Sequence, residues 1–426
     1  MRLLMVTASS PYPPISGAGI RRWEELRYLA RRHDVTAVFY QGGDAAQGQS
    51  CLNGLCRTVA VPHPRRLAED DLAISRGAPW PLRWYGTVVM AGALREVRPA
   101  AFDAVIVDSL YMTLYHDLFV PRGILQEHNI ESQLARQFAQ PKPGAPPPHG
   151  SGGPALWRTV ALQLEAYENR TWPAFPLRVT VSAADKAVID GRCAVGQTVV
   201  VENGADVSAP VVRYDLGPPT MLFVGALDYY PNIDAAFYLV NAIMPAVWAH
   251  RPDIGLIIAG RCPGPALSAL PRDPRVKLVA TPIDMRAVAA QASVSVVPLR
   301  VGGGTRLKVL DSLAWGLPVV STRLGCAGLA LTDGEHVVIR DRPDAFAEAV
   351  IRLLSDAVFW RRLSGAGRTQ VERRYRWEGL FEQFEAELLR FANVPESRSV
   401  DTTSGLNSDT MSRTLAGLRV GATEQR

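Results

Sequence analysis

The residues best placed for chemistry lie between Ser293 and Thr322, SVSVVPLRVGGGTRLKVLDSLAWGLPVVST. Ser293–Leu299 reads as a buried strand, and Gly302, Gly303 and Gly304 follow it. Helical spacing then runs from Thr305 to Trp315, with Gly316 as its stop. Bare N–H groups at the start of a helix attract anions, because orphan donors and the helix dipole point the same way. Arg306 and Lys308 add positive charge there, and Asp311 lies on the next turn from Lys308. A phosphate cradle beside a carboxylate that accepts from sugar hydroxyls is a nucleotide-sugar pocket. The same residues also fit a packing turn with a surface Lys308–Asp311 ion pair. The spacing excludes a Walker loop and the dinucleotide fingerprint.

A second group lies near the start of the chain. Arg2–Thr7 and Val35–Tyr40 read as strands, and Ile20–Arg32 as a helix between them. Ala8–Gly19 is then a loop, carrying Gly17 and Gly19 to the carboxyl end of the first strand, where parallel sheets bind ligands. A tight turn is the plainer use of those glycines. His128 follows a strand over Ile124–Glu127. Its imidazole suits proton transfer, and a hydrogen-bonded structural His is the alternative. Arg21, Arg22, Arg27, Arg31 and Arg32 make the first helix basic, as a solvated face or a lipid-headgroup contact. Trp80 and Trp84 in PWPLRWY can stack on sugars, touch lipid or pack inside.

The positioning elements repeat in two series. The first is 1–206, the second 220–376, and the proline-bearing 207–219 is the linker. In the second, strands at Met221–Val224, Ile254–Ala259, Val276–Val279, Ser293–Val297, Val319–Ser321 and Val337–Ile339 alternate with helices at Ile233–Ala249, Asp284–Gln291, Thr305–Trp315 and Asp344–Leu354. Such alternation predicts a doubly wound parallel sheet. The amphipathic stretch Trp377–Phe391 lies in a final helical segment, 377–393, expected to pack back on the first domain; 394–426 is expected to be disordered. Pro141–Pro154 reads as a long Pro/Gly loop.

With 426 residues, 47% hydrophobic and 20% charged, the chain is globular and long enough for two domains. A net charge of +5 suits an anionic ligand but is too small an excess to imply nucleic acid. Five scattered cysteines and no apolar run long enough to span a bilayer point to the cytoplasm, with peripheral contact at the inner face of the membrane left open.

PYPPISGAGIRR, EHNIES, VTVSAADK, VENGADV, FVGALDYYPN and GGGTRLKVLDSLAWGLPVVSTRLGCAGL occur in an order that resembles bacterial family-4 retaining glycosyltransferases (glycosyl transferases group 1) across nearly all of 1–392. The resemblance implies an α/β GT-B fold: two doubly wound Rossmann-like domains facing a central cleft. It implies transfer of a sugar from a UDP- or GDP-sugar to a glycan or lipid-linked acceptor with retention, in polysaccharide biosynthesis, with no cofactor or metal. By the resemblance Gly303, Gly304 and Thr305 meet the diphosphate, Arg306 and Lys308 supply charge, and Asp311 binds the ribose. Gly17 and Gly19 approach from the first domain, Gly225 opens the donor half, His128 sits near the reacting centre, and backbone at Thr281–Ile283 meets the base. Two departures stand out. Gly303 replaces the usual sugar-binding Glu, and Ala226 and Leu227 follow Gly225 where Arg and Lys are usual, leaving Arg306, Lys308 and Arg261 as the cations. A nucleotide-sugar epimerase on the same fold and a non-catalytic scaffold are the other readings. Conversion of nucleotide-sugars without acceptor, and absence of nucleotide binding, would mark each.

Overall fold

The computed structural model describes residues 1–42, 51–63, 71, 77–148, 153–208, 211, 218–261 and 265–393. The segment 394–426, expected to be disordered, lies outside the described residues, as do 149–152 of the Pro/Gly loop and much of the linker. The first sheet holds β1 (Arg2–Thr7), β2 (Asp34–Gln41), β3 (Arg57–Pro62), β4 (Ala104–Asp108), β5 (Gly123–Glu127), β6 (Leu177–Thr180) and β7 (Gln197–Val200), in the order β3-β2-β1-β4-β5-β6-β7. The second holds β8 (Thr220–Val224), β9 (Gly255–Gly260), β10 (Val276–Ala280), β11 (Val294–Val297), β12 (Val319–Ser321) and β13 (Val338–Ile339), in the order β10-β9-β8-β11-β12-β13. Every strand pair in both sheets is parallel. Parallel strands need helical crossovers on both faces, which is why β1, β4 and β5 are apolar along most of their length and buried.

The first domain's crossovers include α1 (Gly17–Ala30), α2 (Trp80–Arg83), α3 (Val88–Val97), α4 (Glu131–Phe138), α5 (Gly153–Thr171) and α6 (Ala183–Arg192). The second domain carries α7 (Tyr230–Tyr238), α8 (Met244–His250), α9 (Met285–Ala289), α10 (Leu307–Ala314), α11 (Pro343–Ser355) and α12 (Ala357–Arg374). α13 (Trp377–Ala392) lies back on the first sheet, its Trp377, Phe381, Phe384 and Leu388 packed among Leu3, Met5 and Leu26. Tyr28 ties the same contact by donating to Glu385 at 2.7 Å.

In each sheet the strand order reverses beside the first strand, between β1 and β4 and between β8 and β11. Ligands of open parallel sheets bind at the carboxyl ends of the strands flanking such a reversal. The four strands end at Thr7, Asp108, Val224 and Val297, so these two points are the ones the fold prepares.

Several sequence expectations change. Gly17 and Gly19 are not in a loop; they form the first turn of α1, where the Ser16 hydroxyl accepts from the Gly19 N–H. That cap exchanges a free loop for a fixed helix start. The basic face expected of Ile20–Arg32 is solvated only in part: Arg31 and Arg32 are exposed, but Arg21 is 1% and Arg22 7% exposed, because both turn inward onto polar partners. The helix expected over Ile233–Ala249 is divided by a π turn at Leu239–Ile243 just before Pro245, whose nitrogen cannot donate. α4, α12 and β3 are additions to the sequence reading.

Candidate functional site

The glycine loop leaves the carboxyl end of β11 and enters α10, with Arg306 as the residue before the helix. Gly302, Gly303 and Gly304 do not stand open to solvent; they are pressed against the first domain. A Cβ on Gly304, whose φ is +63°, would lie 2.1 Å from the His128 carbonyl oxygen. A Cβ on Gly303 would lie 3.0 Å from Asn129 Oδ1. Gln137 on α4 clasps Gly302 at both ends, donating to its carbonyl at 3.0 Å and accepting from its N–H at 2.9 Å. Asn203 donates to the Thr305 hydroxyl at 2.8 Å. Asn203 is itself held by Arg21, which also donates to the carbonyls of Val201 and Glu202, each at 3.0 Å. Gly17 faces Leu307 at the start of α10. The cradle is therefore built by both domains.

The two cations behave differently. Arg306 is 7% exposed and folds back, donating to the carbonyls of Gly303 and Gly304, so it braces the loop from within. It also lines a cavity of about 160 Å³ with Gln137, Ser182, Asp185, Gly303 and Gly328. Lys308 does not form a surface pair with Asp311. Its ammonium lies 4.6 Å from the centre of the Phe223 ring and donates to Asn232 Oδ1 at 2.5 Å. Burial, reinforced by Arg306, pulls its pKa down to about 7. Asn232 is positioned in turn by Gly225, where a Cβ would lie 2.6 Å from the Asn232 side chain. Asp311 is pushed up to about 7 by burial and by Asp206, against the opposing pull of Arg286. Arg261 at the end of β9 is engaged with Asp228 at 3.0 Å.

The first domain offers an ion network at the matching edge. His128 Nε2 lies 2.5 Å from Asp108 Oδ1, and Asp108, at the end of β4, also pairs with Arg22. Burial alone would raise the Asp108 carboxyl; Arg22 and His128 outweigh it and hold the pKa down at about 2. The carboxylate thus stays ionised and fixes the imidazole. Arg22 donates as well to the Ser9 hydroxyl at 2.7 Å.

The structure brings His128, Gly303, Gly304, Thr305, Arg306 and Gly17 together. Gly225, Lys308 and Asp311 line the second-domain side, and Gly19 is spent on its helix cap. Thr281 has φ +45° after β10, and Ile283 beyond it is fully exposed. Sequence reasoning missed Asp108, Arg22, Asn232 and Gln137. A carboxylate closing an apolar strand was the available signal for Asp108; for Gln137 there was none, since it acts from a helix 165 residues away. Among the described residues, no group of three or more His, Cys, Asp and Glu side chains is arranged to hold a metal ion.

Comparison with known proteins agrees with this architecture. Residues 218–356 match the model of the family described as Glycosyl transferases group 1. An uncharacterized 44.6 kDa protein in the cps region of Klebsiella pneumoniae is 29% identical over 147 residues, 33% of this chain and 38% of that protein. A GDP-mannose-dependent monoacylated alpha-(1-6)-phosphatidylinositol monomannoside mannosyltransferase of Corynebacterium glutamicum is 31% identical over 149 residues, 32% of this chain and 39% of that protein. The matches thus span about two fifths of the length of these relatives. The structure of HepE from Anabaena, in complex with UDP and glucose, superposes with TM-score 0.64 at 13% identity over 91% of this chain and 99% of that one. Residues 218–356 thus match a glycosyl transferases group 1 domain, and the described residues take the GT-B fold.

Proposed function

We propose that the protein is a glycosyltransferase that moves a sugar from a UDP- or GDP-sugar to a glycan or lipid-linked acceptor, with retention at the anomeric carbon, in polysaccharide assembly. One observation carries the reading: the glycine loop at the reversal point of the second sheet is closed onto His128 and Asn129, beside the reversal point of the first. The relatives support it. One is named for GDP-mannose, and HepE was crystallised with UDP and glucose.

In this reading the start of α10 and Lys308 stabilise the negative charge that grows on the leaving diphosphate, and Arg306 holds the loop amides in place. Asp311 accepts from the ribose hydroxyls. The ionised Asp108 keeps His128 oriented toward the donor sugar. The first domain covering the loop excludes water, which favours transfer over hydrolysis. No described helix is long and apolar enough to cross a membrane. Trp80, Trp84 and Val89, 49%, 41% and 50% exposed, suit peripheral contact with a lipid-linked acceptor.

The test is calorimetric titration with UDP, GDP and their sugars, before and after Lys308→Ala. The reading expects binding of one nucleotide family and at least a tenfold loss in the variant. No binding of either family, or unchanged affinity and transfer in the variant, refutes it.

A further inference from the structure

The first-domain wall of the cleft carries a carboxyl that the reading above leaves unused. Glu131 opens α4, two residues beyond Asn129, and is half-buried. Its hydrogen bonds are long: Tyr111 donates to Oε2 at 3.4 Å and Asn129 to Oε1 at 3.5 Å. Among the described residues no cation pairs with it. The neighbouring buried carboxyls are served better. Glu168 accepts from the Ser132 N–H at 2.8 Å and from Arg192 at 3.0 Å, and Glu127 accepts from the Trp172 indole at 2.8 Å. Its place in the first turn of α4 favours the carboxylate, but among the described residues no hydrogen bond shorter than 3.4 Å satisfies its oxygens.

What surrounds it narrows the ligand. The Tyr85 and Tyr111 rings lie 5.0 Å apart. The Glu131 charge is the leading cause that raises the Tyr111 phenol, and it adds to the burial that raises those of Tyr85 and the second domain's Tyr229. Arg306 acts on Tyr229 from the other side, and Arg22 on Tyr85. The wall therefore offers apolar ring faces, three phenol hydroxyls, an amide and one strong acceptor. An anion would be repelled by Glu131. A cation would meet Arg22 and Arg306. A purely apolar ligand would leave the carboxyl less satisfied than it is. A ring bearing several hydroxyls answers each group. Burial, with Glu168 adding to it, pushes the carboxyl up to about 7.

We propose that Glu131, with Asn129, Tyr85, Tyr111 and Tyr229, forms a subsite that binds the hydroxyls of a sugar ring. The proposal rests on the nucleotide-sugar reading and deepens it. The ring belongs either to the donor or to the acceptor, and two measurements separate them. Affinities for UDP, GDP, UDP-glucose and GDP-mannose are compared in wild type and Glu131→Gln. Binding of methyl α-glucoside and methyl α-mannoside to the nucleotide-loaded protein is followed by ligand-observed NMR. A tenfold or greater loss for the nucleotide-sugar, with the nucleotide itself within twofold, supports the subsite and assigns it to the donor ring. An unchanged nucleotide-sugar with a tenfold weaker methyl glycoside supports it and assigns it to the acceptor ring. Equal loss of nucleotide and nucleotide-sugar, or no change in either measurement, overturns it. Wild type that binds neither nucleotide overturns the donor reading and the subsite with it. Tyr229→Phe repeats the comparison without touching Glu131, and must move the same measurement in the same direction.

Discussion

Lys308 gives the sharpest test of the donor site, because its charge is set by the fold. With a pKa of about 7 in the free protein, it is about nine-tenths charged at pH 6 and almost wholly neutral at pH 9. A bound pyrophosphate favours the charged form, so binding takes up a proton across this range. The apparent dissociation constant then rises by the factor 1 + 10^(pH − pKa). That is roughly a hundredfold at pH 9, or about 2.7 kcal/mol at 1.36 kcal/mol per unit. The pyrophosphate of a nucleotide-sugar is a diester and stays ionised from pH 6 to 9, so it adds no slope of its own.

Asp311 titrates in the same window with the opposite consequence. Its carboxyl loses a proton as pH rises through about 7 and becomes the better acceptor for ribose. The two effects are separated by Lys308→Arg, since a guanidinium keeps its charge throughout. Calorimetric titration of the preferred nucleotide-sugar at half-unit steps is the assay. Wild type should weaken with pH by one to two orders of magnitude, whereas Lys308→Arg should hold level or tighten. A wild-type affinity that is flat with pH, or an arginine variant with the same downward slope, would refute the placement of Lys308 against the diphosphate.

Three further outcomes follow from the geometry. Gln137→Ala removes both bonds to Gly302 and should cost about 1–3 kcal/mol of stability, read as a lower denaturant midpoint together with faster hydrogen exchange in the 302–305 loop. Gly304→Ala combines φ +63° with a Cβ 2.1 Å from the His128 carbonyl; it should separate the loop from the first domain and lower transfer at least tenfold, while circular dichroism reports an intact fold. Asp108 has a pKa of about 2, below its unfolded value, so the stability it contributes is present above about pH 4 and is lost as pH falls through 2. Asp108→Asn should lose that acid dependence in urea melts and, by stranding Arg22, should cost about 3–5 kcal/mol at neutral pH.

The fold was legible because parallel sheets write themselves plainly in sequence. Short apolar runs, alternating with helical spacing, led to strands at Arg2–Thr7, Met221–Val224 and Val319–Ser321. The candidate site was legible only where one local segment carries it, as in Gly302–Lys308. The partners of that segment come from the other domain, and no local pattern announces them. Gln137, Asn203 and the His128 carbonyl reach the loop across 165, 102 and some 176 residues of chain. Side-chain direction was the other limit. Helical spacing showed that α1 is basic, but which arginines turn inward depends on acceptors at Asp108, which closes β4, and at Val201 and Asn203, just beyond β7. α12 escaped notice because its buried face mixes Ser364, Gly367 and Gln370 among the apolar Phe359, Trp360, Leu363 and Val371.

The closed contact also explains why three glycines sit where two would make the turn. Gly302 has φ +153° and leaves room for the Arg306 guanidinium, which a Cβ would approach to 3.0 Å. Gly303 leaves room for Asn129, and Gly304 for the His128 backbone. Each glycine therefore admits a different neighbour: one from its own loop and two from the first domain. A side chain at position 303 would meet Asn129 before it met any ligand. Gly303→Ala should accordingly act on closure more than on the cradle. Nucleotide affinity, which depends on the α10 start and Lys308, should change less than threefold. Transfer, and the ratio of transfer to donor hydrolysis, should fall at least tenfold as water reaches the donor. A variant that lost nucleotide affinity and kept that ratio would show that the glycines serve the phosphates alone.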